Sequence, residues 1–166
     1  AFKSLQKPML AIIVDSFKAS EEHGCQALEK FVDLTQMHPQ FWKDAQPDAG
    51  KEEVLSMIVQ IISDLVRVKD FEPGTRAQAT EVVLNLTEQM PAMMRKIGEM
   101  KTEFFTALVQ LVTECELDMD TWAASTEEEL GTGSDAYSAG VGAIARLSLH
   151  MKEKFTLEAA DEPVAA

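Results

Sequence analysis

Apolar and polar residues alternate with a helical period between Gly74 and Met90. One face carries apolar side chains at every third or fourth position, namely Ala79, Val82, Val83, Leu86 and Met90. Another face carries polar side chains, namely Gln78, Glu81, Asn85 and Glu88. Thr75 is a residue type that caps helix starts, and Pro91 disfavours helical geometry in the residue before it. The pattern therefore predicts an amphipathic helix that ends at Pro91.

The same pattern occurs 52 residues earlier in the chain. The segment from Leu34 to Pro39 aligns with the segment from Leu86 to Pro91, and Ser20 is the candidate cap of this earlier helix. The polar positions carry over as Gln26, Glu29, Asp33 and Gln36. A weaker third copy lies near 139–151, where the polar positions are replaced by Ala139, Gly142, Arg146 and Leu149. The chain is therefore built on an internal repeat.

Each copy follows another apolar helix, so the chain is predicted to form three helical hairpins, at about 5–38, 51–90 and 102–155. Tandem helix pairs with a period of 40–50 residues are typical of HEAT repeats. We therefore expect an all-α fold: an α-solenoid of HEAT-type hairpins, about three repeats long, forming a right-handed superhelical segment over 1–155. Residues 156–166 carry little structure-forming signal and are expected to form a flexible tail.

The third hairpin is interrupted by a long acidic insertion at 116–134. It contains no lysine or arginine, and its candidate residues are one aromatic side chain and five of its carboxylates: Asp118, Asp120, Trp122, Glu127, Glu128 and Glu129. Long loops in compact arrays are either functional or disordered. This insertion is either a clamp for a basic partner or a solvating loop.

The formal net charge of −13 disfavours binding to nucleic acid or to an anionic membrane surface, since both require a basic face. The negative charge either favours a basic partner or serves only to keep the protein in solution. Cys25 and Cys115 are predicted to be buried, reduced thiols, and no apolar run is long enough to span a bilayer. The opening residues indicate a segment cut from a longer chain.

No pattern of catalytic or metal-binding residues is recognisable. His23, His38 and His150 lack metal-ligand spacing, and phosphate loops, nucleophile elbows and HExxH motifs are absent from the sequence. We therefore expect neither an enzyme, nor a metal site, nor a cofactor.

The repeated polar positions are the main candidate binding site. In stacked repeats, the polar helix faces of the first two copies would lie side by side. Carboxylates pair with lysine and arginine, and amides bond to a peptide backbone, so this surface suits a basic extended peptide. The other interpretation is an ordinary solvated helix face. The candidate binding residues are Glu29, Asp33, Gln78, Glu81, Asn85 and Glu88.

Four segments resemble the importin-beta (karyopherin-beta) family, and most closely its importin beta-3 branch. They are Leu34–Trp42, Glu72–Ala79, Pro91–Lys96, which reads PAMMRK, and the acidic insertion from Asp118 to Asp135. The resemblance covers about 5–147. It implies a fragment of a longer nuclear import receptor whose second helices line a concave surface.

The resemblance also implies the partners: basic protein cargo, the GTPase Ran in its GTP form, and phenylalanine-glycine nucleoporins reached through the full receptor. The acidic insertion would meet Ran or basic cargo, and the protein would move between cytoplasm and nucleus through the nuclear pore. The alternative is a HEAT-repeat scaffold that holds protein partners without any transport role. A metal-free hydrolase remains as a third class.

Overall fold

The computed structural model describes residues 2–43, 53–114 and 136–151, together with Phe155, Leu157 and Glu158. Its α-helices are α1 (Gln6–Ala19), α2 (Glu21–Met37), α3 (Glu53–Arg67), α4 (Pro73–Gln89), α5 (Pro91–Met94), α6 (Thr106–Thr113) and α7 (Ala136–His150). Short 3-10 helices occur at Phe2–Leu5 and Pro39–Phe41, and π-helical turns at Met100–Phe105 lead directly into α6. The described residues contain no strand.

The helices form two layers of three. Within each hairpin, α1 packs on α2, α3 on α4 and α6 on α7. In one layer α2 packs on α4 and α4 on α7, and in the other α3 packs on α6 and more lightly on α1. Helix α4 therefore lies in the centre of its layer. The predicted all-α fold of stacked helical hairpins is confirmed.

The internal repeat appears in the backbone as well as in the sequence. Helix α4 begins and ends 52 residues after α2, and both helices contain 17 residues. Their C-caps have nearly the same conformation, with φ −133° and ψ 54° at His38 and φ −134° and ψ 52° at Met90. In each case a proline follows and starts a new helical turn. The two segments are therefore equivalent structural units.

Apolar side chains from all three hairpins form one continuous core. It includes Leu28 and Phe31 from α2, Ile58 and Ile62 from α3, and Leu86 from α4, all of which are buried. Burial of such side chains is the main favourable term in folding. The core runs through the stack of hairpins, as expected for a solenoid.

The turn after each repeated helix fills the core at equivalent positions. Trp42 and Met94 lie 52 residues apart, and neither side chain is accessible to solvent. The Trp42 ring lies edge-on to Phe31, with centroids 4.9 Å apart, and to Phe41, with centroids 4.8 Å apart. A large aromatic in the first turn and a flexible thioether in the second therefore occupy the same place in the repeat.

The helix starts differ in how they are capped. Ser20 caps α2 as expected: its hydroxyl accepts a hydrogen bond from the His23 N–H, 3.2 Å away. The sequence interpretation of Thr75 as a cap was wrong, because α4 begins at Pro73, where proline suits the first turn. The Thr75 hydroxyl instead donates to Glu21 Oε1, 2.6 Å away.

Candidate functional site

The repeated polar positions differ in exposure between α2 and α4. Glu29 and Asp33 on α2 are exposed, and so are the amides Gln26 and Gln36. At the equivalent positions of α4, Gln78, Glu81 and Glu88 are half-buried. Asn85 is only 8% exposed, because α7 packs against α4. The polar stripe is therefore open on α2 and largely covered on α4.

Arg146 on α7 joins two of the candidate carboxylates. Its Nη1 donates to both oxygens of Glu81, at 2.6 and 2.8 Å. Its Nη2 and Nε donate to Glu88 Oε1, at 2.7 and 3.0 Å. Glu81 and Glu88 lie two helical turns apart on one side of α4, so a single planar guanidinium reaches both. The structure thus brings these two predicted residues together through a third.

The electrostatics of this contact favour the charged arginine. Its hydrogen bonds to Glu81 raise the pKa of Arg146 above its ordinary value; burial opposes this increase, and the hydrogen bonds to Glu88 add to it. The side chain of Arg146 remains 37% exposed. Because two carboxylates meet one guanidinium, the cluster retains a formal charge of −1. The contact therefore reduces the net negative charge of the polar stripe on α4 but does not remove it.

Sequence reasoning placed Arg146 in the third copy as a mismatch to the polar stripe. At this position, as at Ala139, Gly142 and Leu149, the third copy does not repeat the acidic pattern. The signal that could have found the contact is charge complementarity, since an arginine in one copy faces carboxylates of the copy before it. That signal becomes visible only once the repeated helices are stacked.

A second ion pair, which is more deeply buried, lies at the start of α4. Arg76 donates to both carboxylate oxygens of Glu114, from Nη1 at 2.6 Å and Nη2 at 3.0 Å. Its Nε donates to the Val66 carbonyl at 2.7 Å, which ties α4 to the end of α3. The hydrogen bond from Arg76 lowers the pKa of Glu114, although burial opposes the change. Neither residue was singled out from the sequence.

An apolar groove of about 590 Å³ opens on the first hairpin. It lies between α1, the C-terminal part of α2 and the turn that follows. Phe2, Leu5, Met9, Leu34, Met37 and Phe41 supply its apolar lining. Phe2 and Met37 are among the most exposed large apolar side chains in the described residues. The acidic stripe and this groove are thus separate surface features.

The candidate residues of the acidic insertion, Asp118, Asp120, Trp122 and Glu127–Glu129, lie outside the described residues. Among the residues that are described, no group of three His, Cys, Asp or Glu side chains is arranged to hold a metal ion. In that same part of the chain, no helix has both the length and the apolar character needed to cross a membrane.

Comparison with known proteins adds one match. The family model described as "Importin repeat" matches residues 68–157, more than half of the chain. The match begins at the end of α3 and includes α4, α6 and α7, which carry both arginine contacts. No curated protein and no solved structure matched the chain. Importin repeats are HEAT-type scaffolds of transport receptors, with no enzymatic activity of their own, and this chain belongs to the importin-repeat family.

Proposed function

We propose that the chain is a segment of a nuclear import receptor, closest to the importin beta-3 branch, which binds basic cargo without covalent chemistry. Within a longer receptor it would contribute to binding Ran-GTP and phenylalanine-glycine nucleoporins and would move between cytoplasm and nucleus. The importin-repeat match supports this proposal. So does the stacking of α2 on α4, which juxtaposes two helices with the same polar pattern.

The observation that carries the proposal is the guanidinium bound between Glu81 and Glu88. It supports the proposal because carboxylates at the repeated positions of α4 already hold an arginine of this chain by four hydrogen bonds. The equivalent part of α2 presents Glu29 and Asp33 exposed to solvent. An arginine or lysine of a basic cargo segment would engage these two residues first, with the residual charge at Glu81 and Glu88 extending the attraction.

Charge reversal on α2 tests this assignment. The double variant Glu29→Lys and Asp33→Lys is compared with the wild type for binding of a fluorescent basic import-signal peptide. We expect roughly tenfold weaker binding, which corresponds to about 1.4 kcal/mol. The double variant Asp15→Lys and Asp70→Lys is the control, because it makes the same change in net charge at exposed positions that lie outside α2.

Equal losses in the two double variants would mean that net charge alone attracts the peptide. No loss in either would mean that the stripe on α2 is an ordinary solvated face. The full receptor, tested with the same peptide and with Ran-GTP, provides the positive control, because binding in solenoids is distributed over many repeats.

The alternative is a HEAT-repeat scaffold that holds protein partners with no role in transport. The contact of Arg146 with Glu81 and Glu88 is the observation that favours this alternative, since part of the acidic stripe is already neutralised within the chain. Binding of neither basic peptide nor Ran-GTP, by either the segment or the full receptor, would leave this alternative as the better description.

A further inference from the structure

The four arginines of the chain all contact residues across the junction between the second and third hairpins. The sequence contains arginine at 67, 76, 95 and 146 and nowhere else. Arg67 binds Glu103, Arg76 binds Glu114, and Arg146 binds Glu81 and Glu88. Arg95 donates to the carbonyl of His150 at the end of α7, 3.0 Å away. No arginine lies in the first hairpin.

These contacts are distributed along the whole second junction. Arg76 acts at the start of α4, and Arg146 acts in its middle and last turns. Arg95 acts beyond the end of α4, after α5. In the other layer, Arg67 at the end of α3 donates to Glu103 Oε2 at 2.8 Å and to the Glu103 carbonyl at 3.0 Å. Both layers of the second and third hairpins are therefore joined.

The junction between the first and second hairpins is held differently. The carboxylate of Glu21 accepts from the Glu72 N–H and the Thr75 hydroxyl, and Cys25 Sγ lies 3.1 Å from Thr75 Oγ1. Nearby, the rings of Phe17 and Phe71 have centroids 5.3 Å apart. All of these contacts lie close to the turn between α3 and α4.

At the opposite end of this first junction, the ion pair found in the described residues is that of Lys7 with Glu53. Its side chains are 54% and 66% exposed, in contrast to 4% and 19% for Arg76 and Glu114. Exposed lysine pairs contribute little, because water screens them and the flexible side chain loses entropy. Arginine presents a rigid fork that binds a carboxylate through two hydrogen bonds.

We propose that the second and third hairpins move as one rigid block and that the array bends at the junction between the first and second hairpins. The contacts near Phe71 and Thr75 form the fixed side of this hinge. At the side near Lys7 and Glu53 the two hairpins change their angle slightly, while Trp42 stays in the core. Bending would change the separation of α2 from α4, and hence the spacing between the exposed carboxylates on α2 and the Arg146 cluster on α4.

Distance measurements between spin labels on the 166-residue chain test the hinge. Labels are attached through a keto-bearing non-canonical amino acid, so that Cys25 keeps its contact with Thr75. One pair of labels replaces Lys30 on α2 and Gln89 on α4, and the other replaces Gln89 and Ala145 on α7, all at exposed positions. We expect a broader distance distribution for the first pair than for the second. Equally broad distributions, or a broader one for the second pair, would overturn the proposal.

The variants Arg76→Lys and Arg146→Lys keep the positive charges and remove the bidentate forks. Together, the two substitutions are expected to broaden the distance distribution between the labels on α4 and α7. The distance distribution between the labels on α2 and α4 is expected to stay unchanged. Lys18→Arg on α1 is the matched control, since it exchanges the same two residue types in an exposed pair with Asp15. An unchanged α4–α7 distribution in the folded double variant would contradict the proposed role of the arginines.

Raising the salt concentration with the wild type gives a second test, for which no variant has to fold. Ionic screening acts strongly on exposed pairs and weakly on buried ones. The pair of Arg76 and Glu114, with side chains 4% and 19% exposed, is therefore expected to persist in salt that screens the pair of Lys7 and Glu53, at 54% and 66%. Because Arg76 ties α4 to the end of α6, and α6 packs on α7, the α4–α7 distribution is expected to stay narrow even where the half-exposed pairs of Arg146 are screened. Broadening of α4–α7 ahead of α2–α4 as salt is raised would count against a rigid block.

Discussion

Arg76 and Glu114 form the most buried ion pair in the described residues, joined by hydrogen bonds of 2.6 and 3.0 Å. The pair connects the first turn of α4 to the end of α6. Arg76 occupies the position 52 residues after Gly24, where the first hairpin instead packs the ring of Phe17 against the glycine. The same site in the repeat thus holds an aromatic contact in one copy and an ion pair between hairpins in the next.

Replacing Glu114 with glutamine is expected to destabilise the chain by about 1–3 kcal/mol at neutral pH, since a buried guanidinium loses its charged partner. Chemical denaturation monitored by circular dichroism measures the change. Asp15→Asn, in the exposed pair with Lys18, is the control and is expected to change stability by less than about 0.5 kcal/mol.

The effect of Glu114→Gln should also depend on pH. Arg76 lowers the pKa of Glu114 in the folded state below its ordinary value of 4.5. A carboxyl group with a lowered folded-state pKa contributes stability above its unfolded pKa and loses that contribution as pH falls through the folded value. The difference between wild type and variant is therefore expected to be full at pH 7 and to shrink below pH 4.5. A difference that stayed constant down to pH 2 would contradict this origin.

Two glycines on α7 provide a matched pair of substitutions. A Cβ at Gly140 would lie 2.9 Å from both Leu111 Cβ and Val112 Cγ2, whereas a Cβ at Gly142 would meet nothing within 4 Å. Gly140→Ala is expected to destabilise by about 1–3 kcal/mol through overpacking of α6 against α7. Gly142→Ala is expected to stabilise by about 0.5–1 kcal/mol, because alanine favours the helix. Thermal unfolding of both variants separates the two effects, and a shift in the same direction for both would refute the close approach.

Two substitutions of Trp42, in the turn after α2, are expected to change stability by unequal amounts. Its side chain is fully buried, and its indole N–H has no hydrogen-bond partner among the described residues. Trp42→Phe removes this unsatisfied donor while keeping an aromatic ring against Phe31, so we expect a small loss of stability. Trp42→Ala is expected to cost about 3–5 kcal/mol through the cavity left behind. Similar losses for both, measured by urea denaturation, would mean that the indole itself is required.

Glu21 is expected to stabilise the start of α4 from the preceding hairpin. Its Oε1 accepts from the Glu72 N–H at 2.9 Å and from the Thr75 hydroxyl at 2.6 Å, although α4 has no side-chain cap of its own. Glu21→Ala should cost about 1 kcal/mol, as loss of a helix cap does. Glu22→Ala is the control, since its exposed carboxylate belongs to the same first turn of α2. Amide hydrogen exchange at the start of α4 should increase in the first variant alone.

The periodic pattern of the sequence was sufficient to predict the hairpin fold. Phe31 and Val83 lie on equivalent buried faces, because a helix repeats its faces every three to four residues. The 52-residue shift found in the sequence is also the shift between the ends of α2 and α4 in the structure. The start of α4 was misplaced because Thr75 was interpreted as a cap, although Pro73 already fixes a helical φ angle.

The candidate site was predictable only in part, because contacts between hairpins depend on how the helices stack. The pattern identified Glu81 and Glu88 as polar positions of one helix. Their shared partner, Arg146, lies 58 residues after Glu88, and nothing in the local sequence relates the two. The burial of Asn85 has the same origin, since it follows from α7 packing on α4. The roles of these residues in cargo binding remain predictions.

The concentration of arginine at one junction has a consequence for how the chain acquires its structure. In a linear array, each unit is stabilised mainly by its neighbours, so the most strongly coupled neighbours become ordered together. Here those are the second and third hairpins, so they are expected to provide the folding nucleus onto which the first hairpin then docks. Substitutions at Arg76 should accordingly slow refolding, whereas substitutions at Glu21 should mainly accelerate unfolding.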